Sequence, residues 1–248
     1  MRSSKVLPAK LSMIDLQQQL ASNLGTVQQR IKAAALRSGR QAQDVELIAV
    51  CKYVSSDITA ALVSAGCQQL GESRPQQLWD KRKTLAHLSI RWHMIGHLQR
   101  NKVQRTVSSL TMLHSGDSMR LLRAVNEATS GHRERLPVLI QVNISGEASK
   151  HGFSPQEIAS LLAEISLLES LSVRGLMTMA TLGASPDETR RDFERLRTLR
   201  DQLKTDCPDT IQLDELSMGM SGDFELAIEE GATLVRVGSA LFEGIPTD

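Results

Sequence analysis

Aromatic side chains are scarce in this chain, with four Phe, two Trp and one Tyr among 248 residues. So few rings cannot build a stacking platform for single-stranded nucleic acid. A surplus of one charge is lacking too. With 29 Lys plus Arg against 28 Asp plus Glu, the formal net charge is +1, so neither a phosphate backbone nor an anionic membrane meets the cationic excess that displaces counterions. Cys51, Cys67 and Cys207 are odd in number, far apart and form no C-x-x-C. That pattern argues against a disulfide framework and a zinc site, and a reducing, cytoplasmic compartment is expected. No apolar run approaches the ~18 residues of a membrane span. The polar, basic start from Met1 to Lys10 has no apolar core of a secretory signal.

What the sequence does contain is alternation. Leu16, Leu20, Leu24, Val27, Ile31 and Leu36 fall near one face of a helix predicted from Met13 to Ser38. After it come eight short apolar runs, each a candidate strand: Glu46–Cys51, Gln68–Gly71, Arg91–Ile95, Thr111–His114, Pro137–Asn143, Val173–Met179, Glu215–Met218 and Leu234–Val237. Between them lie helical stretches such as Asp57–Ala65, Ser118–Ala128, Pro155–Leu168, Glu188–Lys204 and Phe224–Glu230, with shorter ones near Gln76–Leu85 and Lys102–Ser109. Eight strand and helix repeats in ~250 residues imply one α/β domain over 1–248, a closed (β/α)8 barrel of the TIM type. Residues 1–12 are expected to form a flexible N-terminal segment.

In such a barrel chemistry belongs where strands run out into loops. Lys52 ends the first run, on the same face as Ile48 and Val50 by strand alternation. A lysine over an apolar floor loses hydration of its ammonium form and becomes a Schiff-base candidate; otherwise it ends the strand by reaching into solvent. Ser217-Met-Gly-Met-Ser221 after the seventh strand, with a helix starting near Gly222, and Gly238-Ser239 after the eighth suit an anion such as phosphate. The same residues would also serve simply as a helix cap and a turn. Arg236 lies between Val235 and Val237 and is expected to face the lumen, contacting either a ligand or an acidic residue such as Glu72. His93, His97 and His114 lie on separate junctions without a local carboxylate-histidine motif, so no metal is expected. Trp92 and His93 are expected to pack beside strand three, and Cys51 to fill the core on the side away from Lys52.

Taken together, Lys52, Gly71-Glu72-Ser73, Trp92-His-Met-Ile-Gly-His-Leu-Gln-Arg-Asn-Lys102, Asn143-Ile-Ser, Gly175-Leu-Met, Ser217-Met-Gly-Met-Ser221 and Val235-Arg-Val-Gly-Ser-Ala240 closely resemble the pyridoxal 5′-phosphate (PLP) homeostasis proteins. The barrel of that family is similar to the N-terminal domain of alanine racemase, a fold-type III barrel here without the C-terminal β-domain. The resemblance runs from about Gln19 to Gly244. It implies that Lys52 holds PLP as an internal aldimine, that Ser217, Gly238 and Ser239 contact the phosphate, and that Arg236 approaches the pyridine nitrogen, where it would make the ring a weaker electron sink. Ser73 belongs to the implied cofactor site but replaces the family's usual asparagine. Lys150, in Ser149-Lys-His-Gly152, matches a second lysine near the mouth, a relay point for handing the aldehyde on. Val54 stands where many members carry another lysine.

The function implied is a PLP-binding carrier, not an enzyme, that sustains intracellular vitamin B6 and amino-acid and keto-acid balance and delivers PLP to apo-enzymes. It is expected to be a monomer. The alternatives are a PLP-dependent amino-acid racemase and a lysine-dependent aldolase for a phosphosugar. Racemases of this barrel type draw a second acid/base from an additional β-domain, and the chain ends at Asp248, a few residues past the eighth strand.

Overall fold

The computed structural model describes residues 12–147, 150–181 and 183–246. The N-terminal segment expected to be flexible lies outside them except for Ser12, which is the N-cap of the first helix and accepts a hydrogen bond from the Asp15 amide. Eight strands follow: β1 (Glu46–Val50), β2 (Gln69–Glu72), β3 (Arg91–Met94), β4 (Met112–Gly116), β5 (Leu136–Gln141), β6 (Leu171–Met177), β7 (Glu215–Ser217) and β8 (Leu234–Val237). All pair in parallel, and β1 closes on β8 to complete a barrel. The expected (β/α)8 architecture is therefore present, with every strand within two residues of its predicted ends.

The helices are α1 (Met13–Arg37), α2 (Ser56–Ser64), α3 (Pro75–Thr84), α4 (Arg100–Thr106), α5 (Met119–Thr129), α6 (Pro155–Ile165), α7 (Pro186–Asp206) and α8 (Phe224–Glu229). Their starts are written locally. Ser154 and Ser185 precede Pro155 and Pro186, and Glu157 and Glu188 complete capping boxes that satisfy otherwise orphaned amides. The predicted start near Gly222 moves to Phe224, because Asp223 is the N-cap and its carboxylate holds the Met220 amide at 2.5 Å. Helix α1 packs on α8 and α2. It buries Leu16, Leu20, Leu24, Val27 and Ile31, but Leu36 is 61% exposed. At five positions past Ile31 that side chain lies about 140° around the helix from the buried face.

Strand alternation divides the core into two. Most apolar side chains, including Ala49, Cys51, Leu70, Trp92 and Val235, fill the layer between sheet and helices. A smaller group, Ile48, Leu139, Met177 and Leu234 with Ile95 and Met112 beside it, fills the lumen. Trp92 and His93 are both buried on β3 but on opposite faces: Trp92 joins the helical layer, and His93 enters the lumen with both ring nitrogens hydrogen-bonded.

Leu20 is fully buried where α1 meets the barrel. Leu20→Ala should lower stability by roughly 2–5 kcal/mol, seen as a lower urea midpoint with an unchanged slope. An unmoved midpoint would mean that α1 does not belong to the cooperative unit.

Candidate functional site

A cavity of about 640 Å3 opens at the C-terminal ends of the strands, within the usual range for small-molecule sites. Lys52 lines it, two residues past β1 on the lumen side shared by Ile48 and Val50. Its Nζ lies 4.8 Å from the Tyr53 ring centroid and has no hydrogen-bond or carboxylate partner among the described residues. Cys51 points the opposite way, into the helical layer, and burial pushes its thiol far above its ordinary range. The backbone just before Lys52 is pinned from behind. Lys81 of α3 donates from Nζ to the Cys51 carbonyl and to Glu72 Oε1, both at 2.5 Å. Burial raises the Glu72 carboxyl above the ordinary carboxylate range, and Lys81 is the chief influence opposing it.

The opposite wall is built by the segment after β7. Gly219 has φ +89°, and a Cβ there would lie 2.6 Å from the Ala227 Cβ, so only glycine lets this turn fold against α8. The turn delivers Ser221, whose Oγ accepts the Gly238 amide at 3.0 Å and keeps its own proton for another partner. Ser239 and Gly222 line the same wall. Ser217 does not. The strand ends on it with its side chain directed down into the lumen, where it is fully buried and outside the cavity lining. The residue that faces the cavity from this motif is Ser221, four positions on.

Ser73 lines the third side, on the loop after β2. Gly96 of the Gly-His-Leu-Gln motif passes so close below that a Cβ would lie 2.4 Å from the Ser73 carbonyl oxygen. Val54 occupies an apolar stretch of the lining.

Arg236 forms the floor, 3% exposed. Its Nη1 donates to Ser217 Oγ at 2.6 Å and its Nη2 to the Thr178 carbonyl at 2.8 Å. The remaining guanidinium N–H groups, including that on Nε, have no partner among the described residues. Burial draws the guanidinium down to about 10, with Asp223 opposing, so it stays charged at neutral pH. The acidic partner considered for it is corrected here: Glu72 lies on the outer face of β2 and is committed to Lys81.

His97, His151 and Asp117 meet at the mouth, a grouping the separate junctions concealed. His97 Nδ1 is 2.6 Å from Asp117 Oδ2, and the imidazoles of His97 and His151 stack at 4.3 Å with planes 11° apart. Their ligand-type atoms lie within 4.8 Å of one another, yet face-to-face rings direct their in-plane lone pairs side by side and not at one ion. Lys150 is held by Glu147 at 2.7 Å, Ser145 at 3.1 Å and the Ala180 carbonyl at 3.2 Å, outside the cavity lining. Its neighbour Ser149 lies outside the described residues. Of the residues singled out by sequence, Lys52, Ser73, Arg236, Gly238 and Ser239 thus share one cavity, whereas Ser217 lies beneath it and Lys150 beside it.

Comparison with known proteins gives a consistent picture. Residues 17–246 match the family model for the alanine racemase N-terminal domain. A pyridoxal phosphate homeostasis protein from Aquifex aeolicus is 36% identical over 219 residues, covering 88% of this chain and 95% of that protein. The structure of PipY from Synechococcus elongatus with PLP bound superposes with a TM-score of 0.79 at 32% identity, covering 90% of this chain and 99% of PipY. An alanine racemase from Clostridium difficile shares the fold at a TM-score of 0.71 with 17% identity, covering 93% of this chain but 58% of that one.

Lys81→Met would leave the Glu72 carboxylate buried without its cation, at a cost of about 3–5 kcal/mol at neutral pH. In that variant the folded-state pKa of Glu72, already raised, should climb further. A group with a raised acid pKa binds more protons folded than unfolded, so stability falls as pH rises through that window. The deficit should accordingly shrink as the buffer is acidified toward the ordinary carboxylate range, which urea titrations across pH would measure. A pH-independent deficit would mean that Glu72 carries no buried charge.

Proposed function

The chain belongs to the pyridoxal phosphate homeostasis protein family, built on the alanine racemase N-terminal-domain barrel, and from that premise we propose that it binds PLP through Lys52 as a carrier that sustains the cell's supply of the cofactor. The observation that carries this reading is one cavity holding an unpartnered lysine amine, a serine and glycine wall, and a buried arginine with unspent donors. When bound, PLP supplies an aldehyde that an amine can capture and a ring that withdraws electrons.

Lys52 is the amine that would hold the aldehyde, and the Lys81 contact to the Cys51 carbonyl fixes the stem from which it would reach. Ser221, Ser239 and the backbone around Gly238 receive the phosphate; Ser221 takes the role that its motif first suggested for Ser217. Ser73 and His97, which line the same cavity, would border the ring. Arg236 approaches the pyridine nitrogen with a group that is already protonated, which disfavours a second proton there and keeps the ring a weak electron sink. Lys150, held in its loop beside the mouth, serves as the relay for the departing aldehyde.

A carrier reading is supported by the commitment of three ionisable groups near the mouth and behind the Lys52 loop: Glu72 to Lys81, His97 to Asp117, Lys150 to Glu147. The same reading takes the whole chain as one domain acting as a monomer, with apo PLP enzymes as recipients. Its location is cytoplasmic, supported by three free cysteines and by the lack of any membrane-spanning helix among the described residues.

Borohydride reduction of the PLP-loaded protein followed by peptide mapping should fix a pyridoxyl group on Lys52. Lys52→Ala should lose it, and Ser221→Ala should weaken PLP binding about tenfold, the loss of a hydrogen bond to a charged group. A protein that cannot be loaded, or labelling elsewhere, would overturn the assignment. Incubation with L-alanine in heavy water separates carrier from racemase: deuterium entering Cα at metabolic rates would make it an enzyme.

A further inference from the structure

The lumen below the cavity holds a continuous line of buried polar groups that PLP binding does not use. From Arg236 Nη1 it runs 2.6 Å to Ser217 Oγ, 2.9 Å to His114 Nδ1, then from His114 Nε2 2.9 Å to His93 Nδ1, and from His93 Nε2 2.9 Å to Gln69 Oε1. The Gln69 amide nitrogen then donates to Glu46 Oε1. The line begins on β8 and β7, crosses the barrel to β4, and steps through β3 and β2 to the exposed start of β1. His93 and His114 are both buried, and burial holds them neutral, His93 down to about 4.

Its polarity is fixed from both ends. An arginine only donates, so Ser217 must accept from it and pass its own proton to His114 Nδ1. His114 is then protonated on Nε2 and donates to His93 Nδ1, and His93 donates from Nε2 to the Gln69 oxygen. At the far end, a carboxylate only accepts, so Gln69 must turn its NH2 to Glu46 and its oxygen to His93. The reverse order would leave the Ser217 proton without an acceptor and set the Gln69 oxygen against the Glu46 carboxylate, a double penalty.

We propose that Gln69, His93, His114 and Ser217 form a one-directional hydrogen-bond relay that positions Arg236 and brings the polarisation of the Glu46 carboxylate, at the opposite end of the barrel, to the cavity floor. The relay answers a physical problem. A charged guanidinium buried in the lumen requires a counter-charge or a set of aligned dipoles, and Arg236 has no carboxylate within ion-pair distance among the described residues. Aligned hydrogen bonds polarise one another in the same sense, each placing a lone pair toward the guanidinium. These residues are positioning residues, since only Arg236 reaches the cavity. The effect on the cofactor ring rests on the PLP reading above; the relay itself does not.

The test is therefore made first on cofactor-free protein. Long-range proton–nitrogen NMR of the imidazoles should find both His93 and His114 neutral with the proton on Nε2. Either ring protonated on Nδ1, or charged at neutral pH, overturns the relay. Gln69→Leu, at a half-buried site remote from Lys52, removes the acceptor at the far end. It should disturb both tautomers and speed solvent exchange of the Arg236 guanidinium protons by about tenfold. Glu46→Gln, which keeps an oxygen facing the Gln69 amide and removes only the terminal charge, should retain the wild-type tautomers; their loss in that variant would overturn the stated direction of the relay. Unchanged Arg236 exchange in Gln69→Leu would refute the positioning role even if the wild-type tautomers are as stated. In PLP-loaded protein Gln69→Leu should also shift the visible absorption band. A relay intact in the cofactor-free state but without that shift would overturn the influence on the ring and leave PLP binding itself to be judged by the Lys52 labelling.

Discussion

A guanidinium inside a closed parallel sheet constrains everything near it. Arg236 cannot shed its charge and has little water, so the barrel must surround it with acceptors in defined directions. Ser217 and the Thr178 carbonyl fill two of these places. Once they do, neither is available to a ligand, which is why the cavity wall above is built from a different serine. The polar layer of His93, His114 and Ser217 also interrupts the apolar filling typical of barrel interiors and leaves Ile48, Leu139, Met177 and Leu234 as a compact plug beside it.

The backbone above this layer obeys a second constraint, close approach. Gly96 lets the junction after β3 pass under Ser73, and Gly219 lets the turn after β7 press against α8. A methyl group at either place would collide with backbone or a helix side chain and displace a wall of the cavity. The cavity therefore owes its shape to turns and its chemistry to the residues that those turns carry. Behind it, the Lys81–Glu72 pair fixes the start of the Lys52 loop from the helical layer.

Strand alternation made much of this legible in the sequence. Lys52 in line with Ile48 and Val50, Cys51 opposed to it, and Arg236 between two outward valines all follow from period two along short, doubly buried runs. What did not follow were contacts between distant junctions. Nothing local to Asp117 announces that it holds His97, or that His151, brought back by the long loop after β5, stacks on that ring. The choice between Ser217 and Ser221 was equally hidden. It depends on where β7 stops, and a three-residue strand leaves no periodicity to read beyond its end. Leu36 illustrates the complementary error, an apolar residue assigned to a face from approximate spacing that the helical angle itself rejects.

The two lysines nearest the site differ in the property that matters for covalent chemistry. Lys150 is surrounded by a carboxylate, a hydroxyl and a carbonyl, which take up its donors. Lys52 is set against an aromatic face and an apolar wall that includes Val54, with no carboxylate in ion-pair reach among the described residues. A nucleophile needs a path to the carbonyl, and of these two amines only Lys52 lines the cavity. The Glu147–Lys150 pair lies outside the cavity lining, so it can change without altering the wall that Ser221 and Gly238 build.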